Sequence, residues 1–157
     1  MRIGFGYDVH AFATGRALWL GGVRIDYPLG LMGHSDADVL IHAICDALFG
    51  AANIGDIGRH FPDTSEKYKN ISSLFLLRHS MELVSAAGYQ LENIDTTIVA
   101  EQPKIAPYIP AMQNTLAEAM SVTPNDISIK ATTTEKLGFT GRREGIAAYA
   151  IALLKKT

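Results

Sequence analysis

Between Val39 and Leu48 the apolar residues Val39, Leu40, Ala43, Ile44, Ala47 and Leu48 recur at the spacing of one helical face, and Gly50 closes the run. Such a face is stable only when another element covers it, so the flanking segments decide the fold class. Ahead of it, Arg2 to His10 is glycine-spaced and partly β-branched or aromatic. Leu18 to Tyr27 then places Gly21-Gly22 between two apolar triplets, a hairpin signal. Ser35 and Asp38 offer a capping start for the helix. Behind it, Leu74, Leu77, Met81 and Val84 predict a second helix that ends before Gly88. Ile94, Thr96 and Ile98 alternate as a strand, Ile109 to Met120 reads as a helix with Pro110 in its first turn, and Ile127 and Ile129 alternate again. Gly145 to Lys156 is read as a strand, although period alone does not separate it from an alanine-rich helix. Strands interleaved with helices predict an α/β domain of the α+β type, a two-layer sandwich of a mixed β-sheet with helices on one face.

No repeat or linker divides the 157 residues, so residues 1–157 are read as a single domain. Charged residues make up 19%, below the roughly 25% of typical globular chains, so the chain either hides a large share of its surface or shares some with neighbouring copies, and an oligomer is expected. A net charge of −2 and a pI of 6.2 lack the concentrated basic face that a nucleic-acid backbone demands, and disfavour that partner. The lone Cys45 excludes an intrachain disulfide and an all-thiolate zinc site. With no signal-peptide pattern and no apolar run of membrane-spanning length, a soluble, cytoplasmic protein without a membrane partner is expected.

Asp8 and His10 lie two apart on the first strand pattern, so both side chains take the same face. A surface pair is the plainer reading until a third ligand joins them, and His42 on the first helix is the candidate. Two imidazoles and one carboxylate suit Zn²⁺ and leave a fourth position open, as catalytic zinc sites do. Asp38 and Asp46, one turn either side of His42, are candidates to orient its ring. A second constellation, Lys130 to Arg142, sets Thr132, Thr133 and Thr134 beside Lys130, Arg142 and Glu135, a donor set for phosphate together with a divalent ion. The polar connection from Ala51 to Asn70 is longer than most in compact domains and is marked as a site loop.

Taken together, Gly6-Tyr7-Asp8-Val9-His10, Gly33-His34-Ser35-Asp36-Ala37-Asp38-Val39, His42, Gly55-Asp56-Ile57-Gly58, Phe61-Pro62-Asp63-Thr64 and Lys130 through Arg142 resemble the 2-C-methyl-D-erythritol 2,4-cyclodiphosphate synthase family, in order and across essentially the whole chain. The resemblance implies conversion of 4-diphosphocytidyl-2-C-methyl-D-erythritol 2-phosphate to the cyclic diphosphate with loss of CMP, in the non-mevalonate isoprenoid route. It implies a homotrimer with active sites between subunits. Asp8, His10 and His42 would hold Zn²⁺, and Glu135 would help hold Mg²⁺ or Mn²⁺ on the diphosphate. Asp8, Val9 and His10 would also touch the substrate, and His34, Ser35, Asp56, Ile57, Gly58, Phe61, Pro62, Asp63, Thr64 and Ser65 would meet the methylerythritol and its phosphate. Ala100, Glu101, Gln102, Pro103, Lys104, Ile105, Ala106, Thr132, Thr133, Thr134 and Glu135 would meet the cytidine end from the neighbouring subunit, with Phe139 and Arg142 close by. His34 and Thr133 match the positions that stabilise the transition state. Ser65 stands where the family often has Asp, and Ile105-Ala106 replace a bulkier pair; His60 and His79 match no site position and are read as solvated.

Two other readings use the same residues. A zinc phosphoesterase would carry hydroxide in the open position. A sensor would gather Arg142 and Glu144 around a trimer axis to bind an isoprenoid diphosphate in a central cavity.

Overall fold

A computed structural model describes residues 1–157. The chain opens with β1 (Arg2–Ala13), the hairpin β2 (Leu18–Leu20) and β3 (Val23–Ile25), and the short β4 (Gly30–Leu31). Next come α1 (Val39–Ala52), a single turn α2 (Ile57–His60) and α3 (Ser73–Ala86). The second half runs β5 (Tyr89–Val99), α4 (Ile109–Met120), β6 (Ile127–Thr132), the single turn α5 (Gly138–Gly141) and β7 (Gly145–Lys156). Five strands form one mixed sheet in the order β4-β1-β7-β5-β6, with β5 and β6 parallel and the other neighbours antiparallel. The mixed sheet with helices matches the expected class, and Gly145 to Lys156 is a central strand.

Every second residue of β1 shows why the layers sit so close. Gly4, Gly6, Asp8 and His10 face the helical layer, while Ile3, Phe5, Tyr7 and Val9 point to the opposite, uncovered face. A Cβ on Gly4 would stand 1.9 Å from the Ala47 carbonyl oxygen, and one on Gly6 would stand 1.9 Å from that of Ala43. Strand backbone therefore rests directly on the alanine ridge of α1, which also carries Ala51. Eleven of the fourteen residues of α1 are buried, so this helix is the centre of the core rather than a surface helix. α3 packs on α1, and α4 packs on α3 and β6.

The start of α1 is held by one carboxylate. Asp38 caps it by accepting from Ile41 N–H at 3.1 Å, and reaches back to Gly21 N–H at 3.0 Å and Gly22 N–H at 2.7 Å. Full burial, together with the charge of Asp36, pushes the Asp38 carboxyl up to about 6 despite these three donors. The helix runs through Gly50 to Ala52, two residues beyond the expected stop, because Asn53 takes the left-handed closing position with φ of 58°. The connection from Ala51 to Asn70 is more structured than its composition suggests, since α2 and a 3₁₀ turn at Glu66–Tyr68 lie within it.

A methyl group at Gly6 has no room unless the sheet lifts off α1. Gly6→Ala is expected to destabilise the chain by about 2 to 3 kcal/mol or more, read as a shift of the urea midpoint at constant slope.

Candidate metal centre

The close approach of β1 to α1 brings His42 against the two ligands that follow Gly6 on the same strand face. Asp8 Oδ2 lies 2.9 Å from His10 Nε2 and 3.2 Å from His42 Nδ1, and the two ring nitrogens are 3.2 Å apart. Three donor atoms thus mark one triangle. Ligands bound about 2.0 to 2.2 Å from a tetrahedral ion stand roughly 3.4 Å from one another, so this spacing accepts a small divalent ion with little movement. The tautomer of His10 suits that role. Its Nδ1–H donates to the Met32 carbonyl at 2.6 Å, which leaves the Nε2 lone pair aimed at Asp8 and His42.

Charge follows the geometry. Burial pushes the Asp8 carboxyl up, but His10 and His42, which bond and attract it in their protonated forms, outweigh burial and hold the group well below the usual carboxylate range. Burial pushes His10 down, and the bond and charge of Asp8 outweigh it, so the ring's pKa is raised.

A cavity of about 550 Å³ opens beside the triangle. Its walls include His34 and Ser35 from the approach to α1, Ile57 and Gly58 from α2, and Phe61, Pro62, Asp63 and Thr64 from the following turn. Asp56 caps α2 by accepting from Arg59 N–H at 2.9 Å. His34 Nε2–H donates to the Ser65 carbonyl at 3.0 Å, so position 65 meets its neighbour through backbone. The Val9 side chain projects from the other face of β1, away from this cavity.

A family model described as the YgbB family matches residues 1–155. The chain belongs to that family. A relative from Parabacteroides distasonis, named 2-C-methyl-D-erythritol 2,4-cyclodiphosphate synthase, is 66% identical over 156 residues, covering 99% of this chain and 97% of its own. The structure of the bifunctional IspDF from Campylobacter jejuni superposes with a TM-score of 0.96 at 45% identity, over 99% of this chain and 42% of that one. A Plasmodium falciparum IspF structure, a CDP complex, superposes with a TM-score of 0.87 at 32% identity, over 99% of this chain and 96% of its own. The family resemblance read from the motifs is the family these comparisons find, and the enzyme class is that of the relatives' name.

The other residues singled out in this YgbB-family chain form a second cluster. None of residues 100–106 or 132–142 lines the cavity beside the triangle. Glu101 Oε1 accepts from Thr134 N–H at 3.2 Å and Lys136 N–H at 3.0 Å, and so shapes a turn in which Glu135 and Lys136 have φ of 54° and 66°. Thr133 Oγ1 donates to Glu135 at 3.0 Å. Lys104 and Phe139 are exposed, Thr132 ends β6, and Ala100 and Ile105 are both buried in the core. Lys130 is paired with Asp95 and Arg142 with Glu144 at 2.8 Å, so neither cation stands free for phosphate in this chain.

Three expectations change. Asp38 and Asp46 do not touch the His42 ring: the first caps α1 and the second accepts Ile57 N–H at 2.8 Å. Hydroxyls take their place, with His42 Nε2 lying 3.0 Å from Ser73 Oγ and 3.3 Å from Ser35 Oγ. His60 is not solvated, since it is half-buried, bonds the Ile54 carbonyl at 2.8 Å and stacks on Phe49 at 4.5 Å. Ser73 opens α3, and its nearness to His42 is a tertiary fact.

A divalent ion must displace the proton that Asp8 favours on His10, so protons compete with metal. Zinc affinity is expected to rise with pH by up to about tenfold per unit below the raised His10 pKa and to flatten above it; chelator competition across a pH series measures it.

Proposed function

We propose that the chain makes 2-C-methyl-D-erythritol 2,4-cyclodiphosphate from 4-diphosphocytidyl-2-C-methyl-D-erythritol 2-phosphate. An oxygen of the 2-phosphate bonds to the β-phosphorus, the bond from that phosphorus to the bridging oxygen breaks, and CMP leaves with the electron pair. The observation that carries the reading is the convergence of one carboxylate and two imidazoles at the wall of a cavity of about 550 Å³. This donor set fits Zn²⁺ and leaves one coordination position outside the protein. Bound to the triangle, Zn²⁺ supplies Lewis-acid neutralisation of phosphate charge, as does Mg²⁺ or Mn²⁺ held with Glu135 on the diphosphate.

The nucleophile is already an anion, so the chain needs no general base. Its residues hold a folded polyol, and placement of tethered reactants is worth up to about 7 to 11 kcal/mol. Asp56, Ile57, Gly58 and the turn Phe61 to Ser65 form the wall for the methylerythritol. Ser35 lies beside them. His34 gives up its bond to the Ser65 carbonyl, and with Thr133 donates to the charge that develops on the phosphates.

Residues 100–106 and 132–135, with Phe139 and Arg142, take the cytidine end. A CDP complex of a relative supports a cytidine nucleotide as ligand. Their separation from the cavity in one chain supports a site shared between subunits of a homotrimer. An apolar stripe of Ile3, Phe5 and Tyr7 on β1, paired with Tyr149 and Ile151 on β7, is exposed on the uncovered sheet face and supports that assembly. One continuous core of 37 buried residues supports a single domain over residues 1–157.

Phosphorus NMR of the zinc-loaded protein with Mg²⁺ and the diphosphocytidyl substrate is expected to show cyclic diphosphate and CMP in equal amounts; inorganic phosphate in their place marks a hydrolase. Mixing inactive Asp8→Ala chains with inactive Thr133→Ala chains is expected to restore part of the activity. No recovery after demonstrated subunit exchange places the whole site in one chain.

A further inference from the structure

We infer that Ser73 and Asp36 are a positioning pair that fixes His42 with its proton on Nε2, leaving the Nδ1 lone pair for the ion. The inference rests on the metal reading of the triangle and adds two residues to it. Ser73 is fully buried at the first position of α3, so no water competes for its hydroxyl. Asp36 grips it from two sides: one carboxylate oxygen accepts Ser73 N–H at 2.8 Å, and the other accepts the Ser73 hydroxyl. That second oxygen also accepts Asp38 N–H at 3.1 Å.

A hydroxyl has one proton. A carboxylate can only accept, so that proton is committed to Asp36, and Ser73 Oγ turns its lone pairs to His42 Nε2 at 3.0 Å. The ring nitrogen on that side must therefore be the donor. Ser35 Oγ, at 3.3 Å from the same nitrogen, accepts Ala37 N–H at 3.2 Å. Nδ1 is then the bare nitrogen, and it is the one that lies 3.2 Å from both Asp8 Oδ2 and His10 Nε2. With the opposite tautomer, an N–H would point at the metal position. Met32 performs the same task for His10 with a backbone carbonyl. His42 sits on a helix whose own carbonyls are occupied, so its anchor comes from a side chain on another helix.

The test uses the full chain labelled with ¹⁵N-histidine, metal-free at about pH 8, with His42 assigned by its loss in His42→Gln. Long-range proton–nitrogen spectra are expected to show His42 protonated on Nε2. Finding it protonated on Nδ1 overturns the inference without any variant. Ser73→Ala is expected to mix the two tautomers and weaken zinc binding about 10- to 100-fold in chelator competition. Asp36→Asn, which replaces one acceptor by an N–H donor, is expected to do the same. Unchanged affinity, or lower affinity with the tautomer unmoved, overturns it. Absence of zinc binding in the parent chain instead defeats the metal reading, and the spectra still report the tautomer.

Discussion

Backbone lying on backbone between β1 and α1 determines where everything else sits. Gly4 and Gly6 present no side chain to Ala43, Ala47 and Ala51, and so bring strand and helix into direct contact. The next two residues on that strand face are Asp8 and His10, and the residue before Ala43 is His42. The layer spacing at the glycines thus sets the distance across which carboxylate and imidazoles meet. A wider spacing, such as side chains at both glycines would impose, would part His42 from Asp8 and His10.

The triangle is a costly arrangement for the bare protein. A carboxylate and two imidazole nitrogens crowd one point, and the surrounding hydrogen bonds prevent the rings from turning their donor hydrogens inward to relieve it. Electron pairs gathered in this way are tolerated because Asp8 is partly open to the cavity, and because protons on His10 partly replace a cation. In the proposed metal reading, an ion at this site would therefore replace protons rather than fill an otherwise stable hole.

Much of this was legible in the sequence. Period-two reading placed Asp8 with His10, and helical period placed the α1 stripe, because each pattern depends on local geometry alone. The combination with His42 followed from the order of motifs. The anchoring of His42 was not legible. Asp38 and Asp46 have the right helical spacing, yet Asp38 is drawn to the amides of Gly21 and Gly22 and Asp46 to that of Ile57. Ser73 lies 31 residues from His42, with no periodic signal joining them. His60 likewise looked like a solvated side chain because nothing nearby in sequence foretells its stacking on Phe49. The long connection before α3 read as irregular because its order comes from two short turns and from bonds to distant backbone.

Those bonds carry a consequence for how the molecule comes together. Asn70 N–H donates to the His34 carbonyl at 2.9 Å and Asp36 N–H to the Ile71 carbonyl at 3.1 Å, so the entry to α3 is stitched to the entry of α1. Asp36, which holds the first amide of α3, is also the carboxylate behind the hydroxyl that faces His42. The imidazole cannot be set until α3 has docked. Without α3 in place, Asp8 and His10 on one strand are the only two members of the triangle whose aim does not depend on another helix, so the proposed ion would meet its complete ligand set only in the finished tertiary structure.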